Sequence, residues 1–292
     1  MAFVNGHEVI LACGRSLRAE HARLALEQAV RNIDALDERA VQEVLEAGFF
    51  EQGLGVLREQ HYPSLWRLET GRRSVLQRDS ERARCDFVIT ERPGMVLADR
   101  LREAREIETD VRLASGTLFE PVAGRVVPVA KKKRRGKKKL VVAVAEVVDA
   151  VAPAGVGDQL GGEVRIGPDD AYWLEIKVVG QVCFRAGVPR ANEAYASEIV
   201  GAACDDVIKL GRDGEIVRGG ALVVLMCADR KTALHDLGVA AERCMGRGAE
   251  RGVTVRSPLF DGFEIEDRIG NRWCGLGLFE PGGGGGMFLV GS

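Results

Sequence analysis

No two cysteines of this chain have CxxC spacing and none joins a histidine at zinc-ligand spacing, although seven cysteines (13, 85, 183, 204, 227, 244 and 274) are present. An odd and scattered set reads as reduced thiols packed as small hydrophobes, not as a disulfide framework or a zinc site. Histidine is scarce. The four present (7, 21, 61 and 235) have no ligand spacing and give little support to a Ser-His-Asp or Cys-His enzyme. Aromatic residues make up 5% of the chain, too few for a base-stacking binder, so Trp66, Trp173 and Trp273 read as core or core-edge residues. The longest apolar-looking run, Leu140 to Ala152, is broken by Glu146 and Asp149 and falls short of the roughly 20 residues that span a bilayer. The opening MAFVNGHEVILAC lacks a basic n-region and has Glu8 where a signal peptide is apolar. We therefore expect no export signal, no membrane partner and a cytoplasmic setting. The Walker loop, GxGxxG, HExxH and GxSxG signatures are all missing.

What is present is an ordinary globular composition: 292 residues, 46% hydrophobic and 29% charged, enough to bury a core. The net charge of −2 hides a split. Lys131, Lys132, Lys133, Arg134, Arg135, Lys137, Lys138 and Lys139 put eight of the 41 basic residues into nine positions, leaving 33 against 43 acidic residues elsewhere. Such a run is solvated. Two readings stay open for it: a surface loop that drifted basic, or a grip on phosphates or another acidic surface.

Apolar spacing predicts helices over 17–36 (with Ser16 as cap), 37–47 (ended by Gly48) and 49–60, the last closed by His61-Tyr62-Pro63. Residues 65–68 and 74–77 are weak strand signals, 84–90 (RCDFVIT) a better one, and 99–108 a polar helix. From about 110 to 167 no period holds, and the stretch reads as a long, partly disordered insertion. Strands then follow at 171–179 and 221–227 with the clearest helix, 192–210, between them; a helix at 231–245 and strands at 253–256, 262–266 and 273–279 complete the pattern. This predicts a single α/β domain over 1–280, a mixed or parallel sheet flanked by helices, with a Gly-rich tail at 281–292.

The chemistry-bearing candidates sit on two of those strands. Side chains two apart share a strand face, so Glu175 and Lys177 point one way, and Leu174 and Ile176 the other. Asp86 is likewise a single acid among Phe87, Val88 and Ile89. Charges in half-buried apolar surroundings carry a desolvation cost, which marks them as site candidates. The plain alternative is a solvated Glu–Lys pair on an exposed strand face. Asp205, Asp206 and Lys209 read as the solvated face of helix 192–210.

An acid on one strand, E-x-K on a later strand, then an amphipathic helix and an apolar strand: this order resembles the PD-(D/E)XK nuclease superfamily, the restriction-endonuclease-like fold. Asp86 matches its metal-binding Asp, and Glu175 with Lys177 match its (D/E)-x-K. Glu51 matches the helix-borne acid, with Glu43 and Glu59 as rivals, and Gln181 resembles a polar residue that some members add. The resemblance covers roughly residues 40–110 and 165–280. Cys85 stands where the family's Pro would be, and Asp86 and Glu175 are 89 positions apart, which requires 95–165 to be an insertion at a strand connection. The resemblance implies Mg²⁺ (or Mn²⁺) held by Asp86, Glu175 and the Ile176 carbonyl, with Lys177 orienting water, and hydrolysis of nucleic acid, DNA foremost. The basic run, with Arg82, Arg84 and Arg185, would then supply the attraction, and a homodimer is a frequent assembly of such folds. The rivals are a non-catalytic relative that binds nucleic acid or protein, and an unrelated α/β protein.

Overall fold

The computed structural model describes residues 4–63, 84–98, 164–185 and 187–282. Helix α1 (Gly6–Leu26) begins well before the expected Ser16, because Asn5 and Glu8 form a capping box: the Glu8 N–H donates to the Asn5 side chain and the Asn5 N–H to Glu8. Ser16 lies inside the helix, its hydroxyl donating to the Ala12 carbonyl at 2.9 Å. The apolar period over 17–36 is not one helix either, since Ile33–Ala35 is a separate 3₁₀ turn.

Helix α2 (Glu38–Glu51) is capped by Asp37 and runs through Gly48. A Cβ at Gly48 would collide with Ser16 of α1, so this glycine permits close helix contact instead of ending the helix. The third helix expected over 49–60 does not form. The chain turns at Gly53 (φ 78°) and enters strand β1 (Gly55–His61), which pairs antiparallel with β2 (Arg84–Thr90). Sheet pairing overrides the local helical period there.

Strand β3 (Met95–Leu97) pairs in parallel with β4 (Val164–Ile166), so the chain departs toward residue 98 and returns at 164 side by side. The predicted elements at 65–68, 74–77 and 99–108, the basic run and most of the expected insertion lie outside the described residues. Strand β5 (Tyr172–Gly180) follows, then an unpredicted hairpin, β6 (Val182–Arg185) and β7 (Val188–Ala191), turning at Gly187 with φ 80°. Helix α3 (Tyr195–Arg212), strand β8 (Gly219–Cys227), helix α4 (Arg230–Glu250) and strand β10 (Trp273–Phe279) fall close to expectation. Strand β9 spans Leu259–Glu264, and the expected strand at 253–256 is reduced to one bridge, Val255 to Pro281.

Six strands form one mixed sheet in the order β1-β2-β5-β8-β10-β9, antiparallel except for the β5–β8 pair, which α3 connects. Helices α1 and α2 cover one face, packing Leu17, Leu45 and Phe49 onto Phe87, Leu174, Ile176 and Leu222. Helices α3 and α4 cover the other, packing Val207, Leu237 and Cys244 onto Val179, Val223 and Leu225. Strand β8 is buried along its whole length, as a strand covered on both faces must be. No described helix is long and apolar enough to cross a membrane.

Candidate active site

Alternation along β2 and β5 decides which side chains meet. Phe87, Ile89, Leu174 and Ile176 enter the α1–α2 core, so Asp86, Glu175 and Lys177 point away from it. The β2–β5 ladder runs from Ile89↔Tyr172 to Phe87↔Leu174 and stops there. In place of a further strand pair, the Ile176 N–H donates to Asp86 Oδ2 at 2.7 Å. On the other flank, the β1–β2 ladder steps from Arg58↔Phe87 to Gln60↔Cys85, passing over Glu59, whose φ is 53°. Asp86 is thus paired in neither ladder: β5 has left β2 there, while β1 skips the position and resumes at Gln60↔Cys85 and His61↔Arg84. A left-handed non-glycine residue is locally strained, and such strain gathers at functional sites.

The Asp86 and Glu175 carboxyl groups lie close enough to interact. Burial pushes the Asp86 carboxyl up to about 7, and the neighbouring Glu175 charge adds to the rise, against the Ile176 N–H and the Lys177 ammonium. Glu175 is only 4% exposed. Its Oε1 accepts from the Tyr62 hydroxyl and from Lys209 Nζ, the latter at 2.8 Å. The Lys209 ammonium also stands 4.2 Å from the centre of the Tyr62 ring, a cation–π contact. Tyr62 in turn stacks at a tilt on Trp173, which fixes the ring directly beyond β1.

Lys177 reaches Glu38, the first residue of α2, with Nζ 3.4 Å from Oε1. Partial burial alone would lower its pKa, but Glu38, Asp206, Asp86 and Glu175 surround it and raise it, so the ammonium stays charged. Asp206, one turn before Lys209 on α3, has its Oδ2 buried without a hydrogen-bond partner among the described residues. Burial and the Glu175 charge push the Asp206 carboxyl up to about 6. An open cleft of about 620 Å³ borders this cluster, lined by Asp37, Glu38, Arg39, Gln42, Arg58, Glu59 and Asp86.

The structure therefore brings together Asp86, Glu175, Lys177 and the Ile176 backbone. It does not bring Glu51 to them: that residue is exposed at the far end of α2 from Glu38, about 20 Å along the helix axis. Of its rivals, Glu43 pairs with Arg39 on the surface, while Glu59 borders the cleft beside Asp86. Gln181 lies beyond the end of β5, where its side chain accepts the Ala228 N–H at 2.9 Å and its backbone ties to Met226 and Asn192. It is a cross-tie between strand ends. Arg84 is exposed at the start of β2. Arg82, the side chain of Arg185, and Lys131, Lys132, Lys133, Arg134, Arg135, Lys137, Lys138 and Lys139 are outside the described residues.

Sequence reading missed Tyr62 and Glu38, and it placed on a solvated helix face Asp206 and Lys209, which instead turn toward Glu175. The last two carried a signal, because their i,i+3 spacing puts them together on the flank of the buried stripe Ala203, Val207 and Leu210. Tyr62 carried none beyond its place before a proline. Among the described residues no three His, Cys, Asp or Glu side chains converge as a metal-holding group. Magnesium takes only one or two carboxylates, with water completing its shell. Comparison with protein-family models, with curated proteins and with solved structures finds no match to this chain.

Proposed function

We propose that this chain hydrolyses phosphodiester bonds in nucleic acid, DNA foremost, with a Mg²⁺ or Mn²⁺ ion held by Asp86, Glu175 and the Ile176 carbonyl. The observation that carries this reading is the interaction of the Asp86 and Glu175 carboxyl groups beside Lys177, at a β2 position paired in neither flanking ladder. The order helix, three antiparallel strands, helix, parallel strand (α2, β1, β2, β5, α3, β8) supports assignment to a restriction-endonuclease-like fold.

The donors suit a hard divalent cation: two carboxyl groups, whose bonds from N–H and O–H donors engage Oδ2 of Asp86 and Oε1 of Glu175. When bound there, such an ion supplies Lewis acidity and an acidified water. The chain's own groups do the rest. Lys177, kept cationic by the acids around it, stabilises charge on the attacking oxygen and the phosphoryl oxygens. Tyr62 and Lys209 hold the Glu175 carboxyl in place through Oε1.

Wild type and Lys177→Ala are compared on plasmid, linear and single-stranded DNA and on RNA, with Mg²⁺, with Mn²⁺ and with chelator. Metal-dependent cleavage by wild type, reduced about 10²-fold or more in Lys177→Ala with the fold intact, supports the proposal. Cleavage unaffected by Lys177→Ala defeats the assigned site. The engagement of Glu175 Oε1 by Lys209 and Tyr62 favours a second reading, a non-catalytic relative that binds nucleic acid or protein. No turnover on any substrate, with binding retained in Asp86→Asn, selects it.

A further inference from the structure

Helices α3 and α4 pack through small residues, with Ala203 and Cys204 on one and Ala240, Ala241 and Cys244 on the other, all in one buried cluster. Small side chains let two helices approach closely, as facing cysteines must if they are to be bridged. The Cys204 and Cys244 sulfurs lie 2.8 Å apart, well inside ordinary van der Waals separation and short of a bond by less than about 1 Å. Both residues are buried, at 0% and 1% exposure.

We propose that Cys204 and Cys244 are a redox modification site, forming a disulfide that joins α3 to α4 when a peroxide-class oxidant is present. The Cys204 sulfur, as thiolate, attacks one peroxide oxygen; an S–O bond forms, the O–O bond breaks, and one water leaves after protonation. Cys244 then attacks the sulfenic sulfur; the S–S bond forms, the S–O bond breaks, and the second water leaves. Two electrons pass from the sulfurs to the peroxide, and two thiols with one H₂O₂ give one disulfide and two waters.

Three features single out this pair among seven cysteines: its sulfur–sulfur approach, the shift of one thiol and its place in the fold. Cys13, Cys85, Cys227 and Cys274 have thiols pushed up by burial. Cys204 is shifted the other way, chiefly by the hydrogen bond from Cys244, whose own thiol that bond pushes up, with Arg247 and Arg243 of α4 assisting. Lastly, Cys204 lies about a turn and a half before Lys209, so the bond would fix the helix that carries the partner of Glu175. The proposal does not depend on the hydrolase reading.

The test uses the full wild-type chain. Folded protein is treated with dilute hydrogen peroxide, quenched, denatured, alkylated and mapped by peptide mass spectrometry. The expected result is protection of two of the seven thiols, an intact mass lower by two hydrogens, and one linked peptide pair, Cys204 with Cys244, released by dithiothreitol. The oxidised protein should also show a higher thermal midpoint, which dithiothreitol returns to its starting value. Cys183→Ser leaves the cross-link unchanged, and Cys204→Ser removes it. Because mapping of wild type needs no variant, misfolding of Cys204→Ser cannot mask the outcome. Seven fully alkylated thiols, a link between any other pair, or separate over-oxidised cysteines would each overturn the proposal.

Discussion

Lys209 Nζ and Glu175 Oε1 lie 2.8 Å apart across 34 residues of sequence, with the Tyr62 ring beneath the ammonium and its hydroxyl on the same carboxylate oxygen. One buried acid is thereby answered by a cation from α3 and an O–H from the end of β1. A buried acid needs such partners, and removal of either leaves its oxygen short of donors.

Lys209→Met should therefore destabilise the protein by about 1–3 kcal/mol, and Tyr62→Phe by about 1 kcal/mol. Urea unfolding at pH 7 checks both. Losses in the two single variants that together exceed the loss in the double variant would confirm that they serve one oxygen. Simple additivity would count against a shared role.

Glu38 is the foremost of the acids that raise the Lys177 ammonium, against the lowering effect of burial. Glu38→Gln removes one negative charge, so Lys177 must lose its proton at lower pH than in wild type. The rate at which an amine-selective acylating reagent modifies Lys177 near pH 9 should rise in the variant. An unchanged rate would mean that the 3.4 Å contact has no electrostatic weight in solution.

Burial pushes the Asp34 carboxyl from 3.8 up to about 6, against a nearby Asn271 amide that pulls it down. Its folded-state pKa exceeds the unfolded value, so its contribution to stability is complete below pH 3.8 and lost as pH rises through about 6. Asp34→Asn keeps the shape and removes the charge. Its stability relative to wild type should grow between pH 4 and 7, by on the order of 1 kcal/mol after allowance for screening. Asp86 and Asp206 have shifts of the same sign, so the difference between variant and wild type is the quantity to follow.

Deleting residues 131–139 removes eight positive charges. If they attract nucleic acid, the slope of log affinity against log salt should flatten by about 0.9 for each phosphate no longer neutralised. Equal slopes for the deletion and the full chain would assign the attraction elsewhere.

Periodicity alone determined β2, β5, β8 and β10, most of α3 and α4, and the mixed α/β class, because burial on one or both faces of an element writes itself into side-chain spacing. It also put Asp86, Glu175 and Lys177 on strand faces as acids and a base among apolar neighbours. Tertiary structure decided what local pattern cannot encode. Residues 55–60 became a strand because β2 offered ladder partners, and Gly48, read as a helix end, serves inside α2 as the gap that Ser16 fills. Glu38, Tyr62, Asp206 and Lys209 gathered around Glu175 and Lys177 through packing over long sequence distances. The 2.8 Å approach of Cys204 to Cys244 is of the same kind. Spacing along a chain records which face is buried; which partner lies across that face is settled only when the layers close.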